Sequence, residues 1–211
     1  MAGVTVSVID RRIEGRTYQA YSLKVPRATS FTVDAATGIV KLMTDIKTWL
    51  GARKISTLTM VGHGISGKDG RTGAQVYVYE ICKEYLTEFS APAFGILKGR
   101  FASKTVPGIE LISCGPSGSQ KSVLLDKALI SQGVKICQAI ANAAGTAVRA
   151  SPDTQIYGSS MQSMATAANP LARRLVVNPG PWEGKVWTFL PGKSGPYRTT
   201  ASGTYQRVRK W

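Results

Sequence analysis

His63 is the only histidine in the chain, and it stands between two glycines at the end of an apolar run, "LTMVGHG" (58–64). Cys114 stands in a similar setting, at the end of "IELISCG" (109–115). An imidazole and a thiol together make a nucleophile. A free thiol is mostly protonated at neutral pH and turns reactive when its pKa falls or a base stands near. The imidazole can take the thiol proton and later return it to a leaving amine. Glycine, lacking a β-carbon, lets a substrate backbone come close. The backbone N–H groups of Gly64 and Cys114 are candidates for binding the oxygen of a tetrahedral intermediate. A lone histidine or cysteine is most often structural; it is the repetition of one setting around both that points to catalysis.

The elements around these residues must bring them together. "VTVSVI" (4–9) alternates and is rich in valine, which predicts a strand, and residues 17–35 read as loop or a further strand pair. "TGIVKLMTDIKTWLGA" (37–52) puts Ile39, Leu42, Met43, Ile46, Trp49 and Leu50 on one helical face, with Thr37 as cap and Gly51 as stop. "ISTLTMV" (55–61) and "GIELISC" (108–114) have the doubly apolar pattern of strands inside a parallel sheet. "GHGISGKDGRTG" (62–73) holds five glycines and reads as a loop. Residues 74–89 read as strand turning to helix near Glu80, 122–145 as helix, and 146–151 as strand. Residues 182–192 hold the last strand. This alternation predicts an α/β fold, a mostly parallel central sheet flanked by helices. In such a sheet, loops at the carboxyl ends of strands share one edge, and ligands bind there. If the strands of 55–61 and 108–114 are neighbours, His63 and Cys114 meet at that edge.

The two motifs resemble those of the caspase-fold cysteine peptidases, which include caspases, gingipains, clostripain, separase and the self-cleaving domains of large bacterial toxins. The 51-residue step from His63 to Cys114 is close to the caspase interval of about 50. The resemblance implies a caspase-like three-layer sandwich, His63 as catalytic histidine, Cys114 as nucleophile, and an oxyanion hole from Gly64 and Cys114. "GTAVRASPDTQIYG" followed by "GPWEGKVWTFLPG" is similar to the C-terminal part of caspase-fold domains in bacterial toxins and effectors, which implies that setting. Where caspases carry Gln-Ala-Cys-Arg-Gly, this chain reads "ISCGPSG", so a preference for aspartate is not implied.

Other features carry less. "GPSGSQKS" (115–122) lacks the spacing of a phosphate loop, and its serines do not fit a Gly-x-Ser-x-Gly turn. Asp69 and Asp153 are candidates for substrate contact; a solvated turn explains the first and an Asx turn after Pro152 the second. Trp182 and Trp187 flank a strand and are expected in the core. Cys82 and Cys137 sit in helical, partly apolar contexts and read as inert. The three cysteines and one histidine fit no zinc ligand set, and no cofactor or metal is expected.

The chain has 211 residues and a net charge of +15. That length suits one domain, with a basic, loosely structured tail at about 193–211. Residues 171–211 hold eight Lys/Arg against Glu183. Such charge predicts an electropositive groove at the active edge and acidic protein or peptide substrates, with nucleic acid as a second class of partner. No apolar run approaches a membrane span, and the first residues show no secretory signal. An odd cysteine count fits reduced thiols in a cytoplasmic setting; export without a signal peptide stays compatible. The sequence leaves the oligomeric state open. The leading reading is a cysteine endopeptidase; its rivals are a cationic nucleic-acid-binding protein and a caspase-fold pseudoenzyme used for binding.

Overall fold

The strand Val4–Asp10 (β1) is made mostly of β-branched residues, and its last five positions are buried. Burial on both faces marks an interior strand, with a neighbouring strand on each side. In the computed structural model, Ala28–Val33 (β2) and Ile55–Lys68 (β3) flank β1, both parallel to it. The described residues are 3–14, 28–68, 75–105, 107–113, 127–151, 158–163, 173–178, 185–200 and 204–208.

Pro107–Ser113 (β6) lies parallel to β3, and Ala147–Ala150 (β7) parallel to β6. Trp187–Phe189 (β10) then joins β7 antiparallel. The sheet continues through Tyr197–Thr199 (β11) and Tyr205–Arg207 (β12), giving the order β12-β11-β10-β7-β6-β3-β1-β2. The expected mixed α/β architecture with a parallel centre is therefore present. The segment expected to be a loose tail carries two short strands that extend the sheet. Gly158–Ser163 (β8) and Arg173–Asn178 (β9) pair as a separate antiparallel hairpin.

Two helices, Ile39–Leu50 (α1) and Lys127–Ala144 (α2), and the 3₁₀ segment Ala91–Leu97 pack on one face of the sheet. Leu42, Met43, Ile46, Phe94, Leu97 and Ile140 meet Val6, Val8, Leu58, Met60, Ile109 and Leu111 there. Gly51 ends α1 at φ 55°, as its lack of a β-carbon permits. The start of α1 differs from expectation. Gly38, not Thr37, is the cap residue, and it has no side chain to cap with. The Thr37 hydroxyl instead donates to Asp34. The Ile39 N–H donates to the Glu84 carboxylate at 2.8 Å, so a residue distant in sequence satisfies the helix terminus. Among the described residues no helix is long and apolar enough to cross a membrane.

The largest departure lies after Val61. The glycine-rich run read as a loop continues as strand to Lys68 and pairs antiparallel with Gln75–Ile81 (β4). After β4 comes a second short strand, Glu84–Leu86 (β5), where a helix was expected. Cys82, in the turn between them, sits at φ 61°. Period-two alternation in "QVYVYEI" supports a strand; the change to helical spacing at Glu80 that the sequence suggests is the β4–β5 turn.

β3 thus belongs to two ladders, and Gly62 stands where it passes between them. A β-carbon on Gly62 would lie 2.6 Å from the Glu80 carbonyl oxygen and 2.9 Å from the Tyr79 ring. The Tyr79 hydroxyl donates to the Met60 carbonyl at 2.7 Å, fixing the ring over the glycine. Gly62→Ala is expected to destabilise the protein by about 2 kcal/mol through overpacking, read as a lower urea midpoint at unchanged slope.

Candidate active site

The five parallel strands run β2-β1-β3-β6-β7. The chain leaves β1 to one side to make β2, then returns across it to make β3. Strand order therefore reverses between β1 and β3, and the crevice outside their carboxyl ends is where doubly wound sheets bind ligands. The residues at those ends are Asp10 and Arg12 after β1, and Gly62 and His63 on β3.

β3 and β6 are neighbours, as the sequence requires for a His63–Cys114 pair. Their register runs Val61 opposite Ile112 and Gly62 opposite Ser113. His63 is the next residue on β3. Cys114 follows Ser113 in the sequence but lies outside the described residues, as do Asp69 and Asp153. Gly64 is within β3, opposite Tyr79, rather than in a loop.

His63 is half-buried. Among the described residues its Nε2 is buried and has no hydrogen-bond partner. Buried polar atoms nearly always find partners, and an exception marks strain or chemistry. The room made by Gly62 is taken up by Tyr79 of the same chain, so this glycine serves packing beneath the histidine and not the approach of a substrate.

Directly across the β3–β4 ladder from His63 stands Glu80, and directly opposed residues project from the same face. Glu80 is held by Arg12, whose Nη1 donates to its carboxylate. Arg12 also grips Asp10: its Nη2 donates to Oδ2 at 2.7 Å and its Nε to Oδ1 at 2.9 Å. Asp10 is fully buried. It accepts further bonds from the Arg12 and Cys82 N–H groups, each at 3.0 Å, and Arg12 donates to the Cys82 carbonyl. The hydrogen bond to Asp10 is the main reason the Arg12 pKa is raised, against desolvation. One guanidinium therefore ties the end of β1 to the residue opposite His63. The sequence reading missed all three residues. The available signal was a carboxylate closing a buried strand, "VTVSVID", with arginines behind it.

Among the described residues this edge carries Arg11, Arg12, Lys83 and Lys185 with Asp10, Asp34, Glu80 and Glu84; the segments that follow β3 and β6 lie outside the described residues. The Ala36 N–H donates to Asp34 and, with the Thr37 hydroxyl, holds its carboxyl below the usual range.

Cys82 and Cys137 are buried, and burial pushes each thiol up to about 12. Both stay protonated at neutral pH and are poor nucleophiles. Trp187 is in the core, as expected, and Trp182 lies outside the described residues. No family model, no curated protein and no solved structure matches the chain.

Arg12→Ala leaves the Asp10 carboxylate buried without its counter-charge. The expected cost is about 3 kcal/mol, measured by urea unfolding at neutral pH. A change within a few tenths of a kcal/mol would show that the cluster is not a structural tie.

Proposed function

We propose that the chain is a cysteine peptidase of the caspase-fold type, with Cys114 as nucleophile and His63 as its base. The observation that carries this reading is register. β3 and β6 are adjacent and parallel, and they pair up to Gly62 and Ser113, the residues immediately before His63 and Cys114. The position of β3 beside the reversal of strand order adds support, and so does the Nε2 of His63, buried without a partner among the described residues. The other two thiols are too buried to compete.

The chemistry is acyl transfer through sulfur. His63 accepts the Cys114 proton, and the thiolate attacks the scissile carbonyl carbon. The carbonyl oxygen takes up negative charge and is met by the Gly64 and Cys114 N–H groups. The carbon–nitrogen bond breaks as His63 returns the proton to the departing amine, leaving a thioester. Water, with His63 again as base, then releases the acid and restores the thiol. Glu80 and Arg12 are positioning residues here, fixing the backbone that carries the imidazole. The substrate is a protein or peptide. The toxin or effector setting rests on the resemblance of residues 145–192 to such domains.

The test is mass spectrometry of a mixed peptide library after incubation with wild-type protein, Cys114→Ala, His63→Ala and the double variant. Each single change is expected to remove cleavage by at least about 10³-fold while far-UV circular dichroism is kept. The double variant is expected to be no worse than the singles, because the pair acts as one unit. Cleavage by Cys114→Ala at the wild-type rate would overturn the assignment.

A further inference from the structure

Among the described residues a patch of positive charge lies at the opposite edge of the sheet, where the parallel strands begin. Three stretches of chain build that edge: residues 51–54, 98–105 and 190–196, with Arg207 closing β12 beside them. Hydrogen bonds join them into one surface. Lys54 donates to the Gly99 carbonyl at 2.5 Å, Thr146 to the Ser103 carbonyl at 2.8 Å, and Tyr205 to the Thr105 carbonyl at 2.7 Å. Gly192 is tied to Asn142 of α2, and Arg207 to Ser194.

This surface carries Arg53, Lys54, Lys98, Arg100, Lys104, Lys193 and Arg207, and the three stretches contain no Asp or Glu. Among the described residues none of the seven is in an ion pair. Six are exposed and Arg100 is half-buried, its Nε buried without a partner among the described residues. A soluble surface intersperses both signs unless a single-signed field serves a purpose.

We propose that this amino edge is a docking surface for a nucleic-acid strand, separate from the candidate active edge and independent of the peptidase reading. From β3 to β12 the edge spans five strand intervals, or about 24 Å at about 4.8 Å each. That is room for several consecutive phosphates. Tyr197 and Tyr205 are half-exposed on the outermost strands and offer rings for stacking, which a strand of bases uses and a lipid headgroup does not. Among the described residues the exposed large apolar side chains, Val40, Tyr85 and Phe89, lie on other elements, so none of them offers this edge an anchor in a bilayer.

The experiment is fluorescence anisotropy with a labelled oligothymidylate of about 20 nucleotides, titrated with the full chain between about 50 and 200 mM KCl. If about five phosphates are neutralised, affinity falls about 10²-fold across that range. Lys98→Glu/Lys104→Glu/Lys193→Glu is expected to flatten the log–log salt slope by about 2 and to weaken binding at least tenfold at low salt. Lys41→Glu/Lys83→Glu/Lys185→Glu lowers the net charge by the same amount away from this edge and is expected to weaken binding less than threefold. Equal weakening by both triples would overturn the proposal, since net charge alone would then explain binding. So would absence of binding at 50 mM KCl, or binding of anionic phosphatidylserine vesicles in preference to the oligonucleotide.

Discussion

The arrangement depends on one crossing point. β3 is shared between the parallel sheet and the β3–β4 hairpin, and it changes partners at Gly62. No side chain larger than hydrogen fits there, because Tyr79 and the Glu80 backbone lie against the glycine. That contact sets where the strand leaves the sheet, and so fixes His63 as the first residue beyond it. The Tyr79 hydroxyl bond to the Met60 carbonyl holds the hairpin on the core. The Asp10–Arg12–Glu80 cluster holds it on β1. The Glu84 carboxylate holds it on the start of α1. Three interactions of different kind thus brace the segment that carries the histidine, which is what a preorganised catalytic group requires.

The two edges of the sheet differ in charge. At the carboxyl edge, among the described residues, Arg12 pairs with both Asp10 and Glu80. At the amino edge none of the seven cations is in an ion pair among the described residues. Part of the net charge of +15 is gathered, among the described residues, on a surface away from the proposed chemistry, where its effect on encounter with a substrate at the other edge is screened beyond about 8 Å at physiological ionic strength.

Where burial wrote a simple pattern, the sequence was readable. β1 alternates, the first half of β3 and β6 are largely apolar, and α1 shows its buried stripe at Ile39, Leu42, Met43, Ile46 and Leu50. Those runs marked β3 and β6 as strands of a parallel sheet; that they are neighbours was a condition the sequence left open and the ladder supplies. Residues 62–68 were misread because glycine propensity argues for loop, while the ladder with β4 overrides it. Glu80–Leu86 was misread because a tight turn with Cys82 at positive φ interrupts the alternation. The helix cap at Glu84 and the tie at Arg12 join residues 45 and 68 positions apart, and no local pattern announces contacts of that separation.

The claim that His63 activates Cys114 is tested most directly by the pH dependence of iodoacetamide alkylation, followed residue by residue in the native protein. The account predicts that Cys114 reacts first, with an apparent pKa below the ordinary thiol value of about 8.5, while Cys82 and Cys137 react only on unfolding. In His63→Ala the Cys114 profile is predicted to shift to higher pH, the other two remaining unchanged. Superimposable Cys114 profiles with and without the imidazole, or faster reaction at Cys82 or Cys137, would contradict it.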